Sequence, residues 1–238
     1  MDSIETLIEG ALDLNIELDL EQRNKFIKYK ELLKEWNEKI NITAITDKEE
    51  VDIKHFLDSL TPQMTQLFHG DKRIIDIGTG GGFPGLPLKI INPDLKVTLL
   101  DSLNKRIVFL DEVIKLLDLK QVTAIHGRAE ELGRTGEFRE KYDICISRAV
   151  ASLDTLTEYC MPFVREGGHF IAMKGPDVEE ELEESKKAIK TLGGRIKEVK
   201  KIRLPKSDIL HSLIVIEKIK KTPRKYPRGG GKPKKNPL

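Results

Sequence analysis

No apolar run in this 238-residue chain approaches the ~20 residues that a membrane-crossing helix needs. Its first residues, Met1-Asp2-Ser3-Ile4-Glu5, lack a basic-then-apolar leader pattern, so a cytosolic protein without membrane attachment is expected. Cysteine is scarce. Cys145 and Cys160 form no close chelating or redox pair, which excludes a disulfide scaffold and suits a reducing compartment. The histidines at 55, 69, 126, 169 and 211 show no metal-ligand spacing. No internal repeat is present. Asn41-Ile42-Thr43 has the form of a glycosylation acceptor, but nothing else in the chain suggests secretion.

Acidic residues are missing from the C-terminal stretch, where basic ones accumulate. From Lys218 to Leu238 there are nine Lys or Arg and no Asp or Glu, whereas residues 1–217 hold 32 basic against 39 acidic side chains. An acidic body with a strongly basic end is an electrostatic device suited to polyanions. The same stretch holds Pro223, Pro227, Pro233, Pro237 and Gly229-Gly230-Gly231, a composition that predicts a flexible tail over 220–238.

The whole chain is 39% hydrophobic and 34% charged, enough for one substantial core with a smaller attachment. Residues 1–65 read as helical. Asp19 with Gln22 three residues on is a capping-box start, and Phe26, Tyr29, Leu33, Trp36 and Ile40 follow at helical spacing as a core stripe. Asp47 with Glu50 starts a second capped segment, on which Phe56 and Leu60 face inward while His55, Asp58 and Ser59 share another face. From residue 66 to 219 the rhythm is that of an α/β domain. Short apolar runs at 73–77, 96–100, 121–125, 142–147 and 169–173 alternate with helical stretches such as 103–117 and 177–192, which predicts a mostly parallel sheet. The runs at 195–203 and 213–219 are joined by too short a loop for a helical crossover, so they are expected to pair antiparallel.

The strongest local signal is Arg73-Ile-Ile-Asp-Ile-Gly-Thr-Gly-Gly-Gly-Phe-Pro-Gly, a buried strand running through glycines into a helix. Gly80, Gly82 and Gly85, with Asp101 about 20 residues on, match a dinucleotide frame. Asp76, Gly78, Gly80 and Gly82 match the acid-first frame of S-adenosylmethionine sites. Charge favours the second. A carboxylate at Asp76 repels a pyrophosphate and attracts an ammonium or sulfonium, by roughly 4 kcal/mol at ~4 Å in a surface-like dielectric. Asp101 suits the ribose hydroxyls of either cofactor, and Glu130 in Gly127-Arg128-Ala129-Glu130 suits an adenine edge.

After the fourth strand stands Ser147-Arg148-Ala149-Val150-Ala151, without the Asn/Asp-Pro-Pro-aromatic motif of enzymes that methylate exocyclic amines. Cys145 and Cys160 read as core residues, not as nucleophiles. With no evident base or metal, the acceptor that fits is one already presenting a lone pair, such as the 7-nitrogen of guanine, and catalysis then rests on positioning.

Asn41-Ile-Thr, His55-Phe-Leu-Asp-Ser-Leu, the loop 76–87, Gly127-Arg-Ala-Glu, Ser147-Arg-Ala-Val-Ala, Met173-Lys-Gly and Pro223-Arg-Lys-Tyr-Pro-Arg occur in that order. Together they resemble the RsmG, or GidB, family, bacterial methyltransferases that form 7-methylguanosine in 16S rRNA. The resemblance implies a class I S-adenosylmethionine-dependent (Rossmann-like) domain at 66–219 with a helical extension at 1–65. It also implies cofactor contacts at Gly78, Phe83, Ala129, Glu130 and Arg148, added to Asp76, Gly80 and Asp101 from the reading above. His55, Asp58, Arg148 and Lys174 are candidates for positioning the guanine, and no metal is implied. The expected partner is 16S rRNA or the small subunit, bound in part by the basic tail; a monomer is expected. A non-catalytic RNA-binding protein and an NAD-dependent oxidoreductase are the alternatives.

Overall fold

A computed structural model describes residues 3–238. Helix α1 (Glu5–Asp13) leads to α2 (Leu20–Ile40), whose start is the reciprocal capping box of Asp19 and Gln22, and which ends at Asn41 in the left-handed conformation. Asp47 then caps α3 (Lys48–Val51) by accepting the Glu49 and Glu50 amides. The helix continues as a wide π-helical stretch, Asp52–Leu57, into α4 (Asp58–Leu60). Such widening is frequent at functional sites. The widened stretch carries His55, and Asp58 opens α4 directly after it.

The α/β part alternates β1 (Arg73–Ile77), α5 (Gly85–Ile91), β2 (Lys96–Asp101), α6 (Asn104–Leu116), β3 (Val122–His126), α7 (Ala129–Leu132), β4 (Tyr142–Ser147), α8 (Leu153–Cys160), β5 (Val164–Lys174), α9 (Glu179–Thr191), β6 (Gly194–Arg203) and β7 (Leu210–Lys218). The strands form one sheet in the order β3-β2-β1-β4-β5-β7-β6. The first five run parallel, β7 enters antiparallel beside β5, and β6 pairs antiparallel with β7. The chain order reverses between β1 and β4. In open α/β sheets the crevice beyond the strand ends at that switch point is where ligands bind.

The helices of residues 1–65 have no core of their own. Phe26, Phe56 and Leu60 share one apolar cluster with Leu86, Leu99 and Phe109, so they cover one face of the sheet as an integral layer. On the other face, Leu153, Phe163, Ile189 and Tyr226 pack against Ile75, Cys145 and Phe170.

Tyr226 belongs to the basic tail, and there the composition misleads. The Arg139 guanidinium donates to the carbonyls of Thr222 and Tyr226 at 2.7 and 2.8 Å, and Arg134 donates to that of Pro227 at 2.7 Å. Arg228 lies on the buried carboxylate of Glu158, with 2.7 Å between Nη2 and Oε2. The chain then forms a last turn, α10 (Lys232–Lys235), against α8, where the Thr155 hydroxyl donates to Pro233 O. A segment unable to build its own core is held by side chains far away in sequence.

Candidate active site

The glycine loop leaves β1 at the switch point. Gly78 has φ +71°, a left-handed conformation costly for any residue with a side chain, and a Cβ there would meet the Ala149 methyl at 3.5 Å. Gly82 has φ +95°, and its Cβ would lie 2.6 Å from the Tyr29 hydroxyl. That hydroxyl donates to Gly81 O, so a residue of the α2 core stripe also clamps the loop. Phe83 stacks on Tyr29 at 5.4 Å and on His55 at 4.5 Å between centroids. Its ring is buried within that stack, so the loop reaches the crevice chiefly through its backbone.

Asp76 does not face the crevice, which corrects the expectation that it meets a ligand's positive charge. It is fully buried, and its Oδ2 accepts the Thr79 hydroxyl at 2.7 Å and the Gly85 amide at 2.9 Å. The Gly85 amide opens α5, where a dinucleotide's pyrophosphate would sit, and there Asp76 supplies the protein's own anion. Burial pushes its carboxyl up to about 6 against these hydrogen bonds. Linked phosphates remain disfavoured there because Asp76 fills the helix start from within, not because it repels them across a pocket.

Three cavities follow one another along the strand ends. The first, about 320 Å³, is walled by Gly78, Asp101, Ala129, Glu130 and, from the tail, Gly231, Lys234 and Lys235. The second, about 190 Å³, is walled by Gly78, Gly80, Phe83, His55, Arg106 and Arg148. The third, about 270 Å³, lies between Arg148, Val150, Met173, Lys174, Asp58 and His211. Gly78 is common to the first two and Arg148 to the last two. Asp101 closes the loop by accepting the Gly80 amide at 2.9 Å, while Glu130 lies 3.6 Å from Arg128. A larger groove of about 340 Å³ beside α2 touches this line only at Thr43.

A polar chain crosses from the helical layer to β7. The His211 Nδ1–H donates to Asp58 Oδ1 at 2.6 Å, and Arg148 Nη1 donates to Asp58 Oδ2 at 2.7 Å and to Lys54 O at 2.9 Å. Arg148 Nη2 donates to His55 Nδ1 at 3.2 Å, which leaves the proton on Nε2 for Thr43 Oγ1 at 2.7 Å. Burial, followed by the Arg148 charge, lowers the His55 pKa to about 3, so the ring is neutral. Burial raises the Asp58 carboxyl, but the contacts from His211 and Arg148 outweigh it and hold the group below the usual carboxylate range. Lys174 donates to Ala151 O at 2.7 Å and pairs with Glu181 at 2.8 Å, thereby tying down the loop after β4.

The cavities and this chain place the likeness of the molecule to known proteins in context. The family model described as rRNA small subunit methyltransferase G matches residues 22–210. The chain belongs to that family. It is 54% identical over 238 residues to the ribosomal RNA small subunit methyltransferase G of Alkaliphilus metalliredigens, with both chains covered completely. To that of Acetivibrio thermocellus it is 56% identical over 232 residues, covering 98% of this chain and 95% of the other. Among solved structures, M. jannaschii TYW2 in complex with AdoMet matches with TM-score 0.53 and 17% identity over 68% of this chain and 77% of that one. Aeropyrum pernix fibrillarin matches with TM-score 0.51 and 19% identity over 63% and 68%. These two show the fold alone.

Within this family member, the residues singled out from the sequence divide. Gly78, Gly80, Phe83, Asp101, Ala129, Glu130 and Arg148 all line the first two cavities, and Asp58, Arg148 and Lys174 line the third. Asp76 lies beneath the loop, and His55 reaches the middle cavity but not the third. Sequence reasoning missed Tyr29, His211, Lys234 and Lys235. Tyr29 looked like core, His211 stood in the loop expected between the last two runs, and the two lysines lay in a segment expected to be flexible. Cys145 and Cys160 are buried free thiols, and burial, with Cys160 beside it, pushes the Cys145 thiol far up, as a core role requires.

Proposed function

We propose that this protein transfers a methyl group from S-adenosylmethionine to the 7-nitrogen of a guanine in 16S ribosomal RNA. The observation that carries the reading is the line of three cavities sharing Gly78 and Arg148, a geometry that puts a donor and an acceptor end to end. The first cavity has carboxylates, Asp101 and Glu130, for ribose hydroxyls and an adenine amine, and the left-handed Gly78 lets backbone approach without a Cβ. That fits an adenosine with no phosphates. Family membership supports the same donor and the same class of RNA.

When bound, S-adenosylmethionine supplies an electrophilic methyl group on a positively charged sulfur. The protein's own task is then alignment. Arg148 is held by Asp58, Lys54 O and His55 at the wall between the second and third cavities, where a guanidinium can donate to a purine carbonyl. His55, being neutral, adds no further positive charge beside the donor. Guanine N7 offers its lone pair without deprotonation, so no general base has to act. Holding the two partners in line can supply several kcal/mol of barrier reduction.

Lys232, Lys234 and Lys235 in the tail support contact with RNA phosphates next to the first cavity. No helix among the described residues is long and apolar enough to cross a membrane, and the free cysteines fit a reducing cytosol, where we place the protein as a monomer. The test is transfer of tritiated methyl to small-subunit RNA, naked and assembled, followed by mapping of the labelled nucleotide. Absence of label in both forms refutes the reading.

A further inference from the structure

We infer that His211 reads the base to be methylated, selecting guanine over adenine, with Asp58 as the residue that sets its proton. This rests on the methyltransferase reading above and specifies its third cavity.

Both purines carry an N7 lone pair, so attack on a methyl group cannot by itself distinguish them. Arg148 can tell the O6 carbonyl of guanine from the 6-amine of adenine beside N7, and the other ring edge adds a second difference, where guanine offers N1–H and an exocyclic amine while adenine offers a bare N1 acceptor. The third cavity provides the complementary group. His211, from β7, lines it beside Asp58 and is the only histidine among the described residues that does. The Asp58 carboxylate is 2% exposed and takes the His211 Nδ1–H at 2.6 Å. With Nδ1 committed as the donor to Asp58, Nε2 is the ring nitrogen that this assignment uses as the acceptor for the base, and among the described residues it has no hydrogen-bond partner.

The cavity has a direction. Arg148 belongs both to it and to the middle cavity, so it marks the side nearest the donor, whereas His211, Lys174 and Gly175 line the third cavity alone. A purine entering with N7 toward the shared wall brings O6 toward Arg148 and the adjoining N1–H edge toward His211, which the same Asp58 carboxylate holds next to Arg148. Val150, fully exposed, and Met173 supply apolar contact for the ring. Lys174 is already engaged by Ala151 O and Glu181, so it contributes position rather than base contact. Asp58 thus has two duties with its two oxygens. One orients Arg148 toward the carbonyl edge, and the other fixes the His211 tautomer.

The test uses methyl transfer into small-subunit particles whose 16S RNA carries guanine or adenine at the mapped target, together with equilibrium binding of S-adenosylmethionine. His211→Asn keeps a donor for Asp58 and removes the distal acceptor, so the buried carboxylate stays paired. It should lower kcat/KM on guanine roughly tenfold or more, the scale of one lost hydrogen bond at a desolvated site, while donor affinity stays within about twofold. The guanine-over-adenine ratio should narrow by a similar factor. His211→Gln puts an acceptor near the position of Nε2 and should recover part of the loss. Unchanged kcat/KM and an unchanged base ratio in a folded His211→Asn protein overturn the assignment, as does a loss confined to donor affinity. Label absent with the unaltered protein on every substrate instead sinks the methyltransferase reading, and this one with it.

Discussion

The Asp76 carboxylate accepts the Gly85 amide at 2.9 Å across the base of the glycine loop. One bond thereby joins the end of β1 to the first turn of α5, and the anion-binding end of that helix is filled from within. The fully buried Oδ1 of the same carboxylate has no hydrogen-bond partner, so the group carries a net cost of burial that raises its pKa to about 6.

Asp76→Asn and Asp76→Ala should therefore part company. Asparagine keeps an oxygen for Thr79 and Gly85 without the buried charge, and thermal stability near neutral pH should hold or rise. Alanine loses both bonds and should cost about 2–4 kcal/mol, with weaker donor binding as the loop loosens. Chemical denaturation and equilibrium binding on both variants check this. Equal stability of the two would show that the carboxylate does not staple the loop.

Gly78→Val should abolish measurable donor binding in a protein that still folds. The left-handed φ of +71° is unfavourable for a β-branched residue, and the added side chain meets Ala149 at the wall of the first two cavities. Circular dichroism and donor titration separate folding from binding; a folded variant with normal affinity would displace the loop from the site.

Stability against pH should carry opposite contributions from two buried groups. The His55 pKa is lowered from 6.5 to about 3, so its contribution is complete above 6.5 and lost as pH falls through the interval down to 3. The Asp76 pKa is raised from 3.8 to about 6, so its contribution is complete below 3.8 and is lost as pH rises through 6. His55→Gln removes the first and leaves the second. Urea melts over this range should show a shallower acid loss for the variant than for the parent, and parallel curves would mean that His55 is protonated in the folded state.

Removing residues 229–238 leaves the Arg228–Glu158 pair in place but takes away Gly231, Lys234 and Lys235 from the first cavity. Donor affinity should fall severalfold with the fold intact. The slope of log RNA affinity against log salt should flatten by about two units if Lys232, Lys234 and Lys235 each meet a phosphate of single-stranded RNA. Removing the chain from 221 onward should be far harsher, because it leaves Glu158 buried and unpaired, at a cost of about 3–5 kcal/mol. Thermal melts of the two truncations distinguish the cases; equal stability would mean that the Arg228 contact contributes nothing.

Much of this was legible in the residues themselves. The strands at 73–77 and 142–147 emerge where the apolar runs stand, the runs at 96–100 and 169–173 fall within longer strands, and the run at 121–125 is shifted by one residue, to 122–126. The antiparallel pair β6–β7 follows from a loop too short to cross over. Asp19–Gln22 and Asp47–Glu50 cap helices because a cap is a contact between neighbours in sequence. The tail is the instructive failure. Its prolines and glycines describe only what it cannot do alone, whereas Arg134, Arg139 and Glu158 decide what it does in place.

The amino-acid sequence by itself determined the α/β alternation, the glycine loop and the set of family motifs, since each is written within a few consecutive residues and depends on backbone preference or apolar period. Only the tertiary structure decided that Asp76 lies under the loop, that Tyr29 clamps Gly81, and that Asp58 meets Arg148 and His211, 90 and 153 positions further along the chain. Those are contacts between distant segments, and no local pattern encodes them. They come into being when burying the apolar faces of the sheet and its helices brings the polar ends of the strands together.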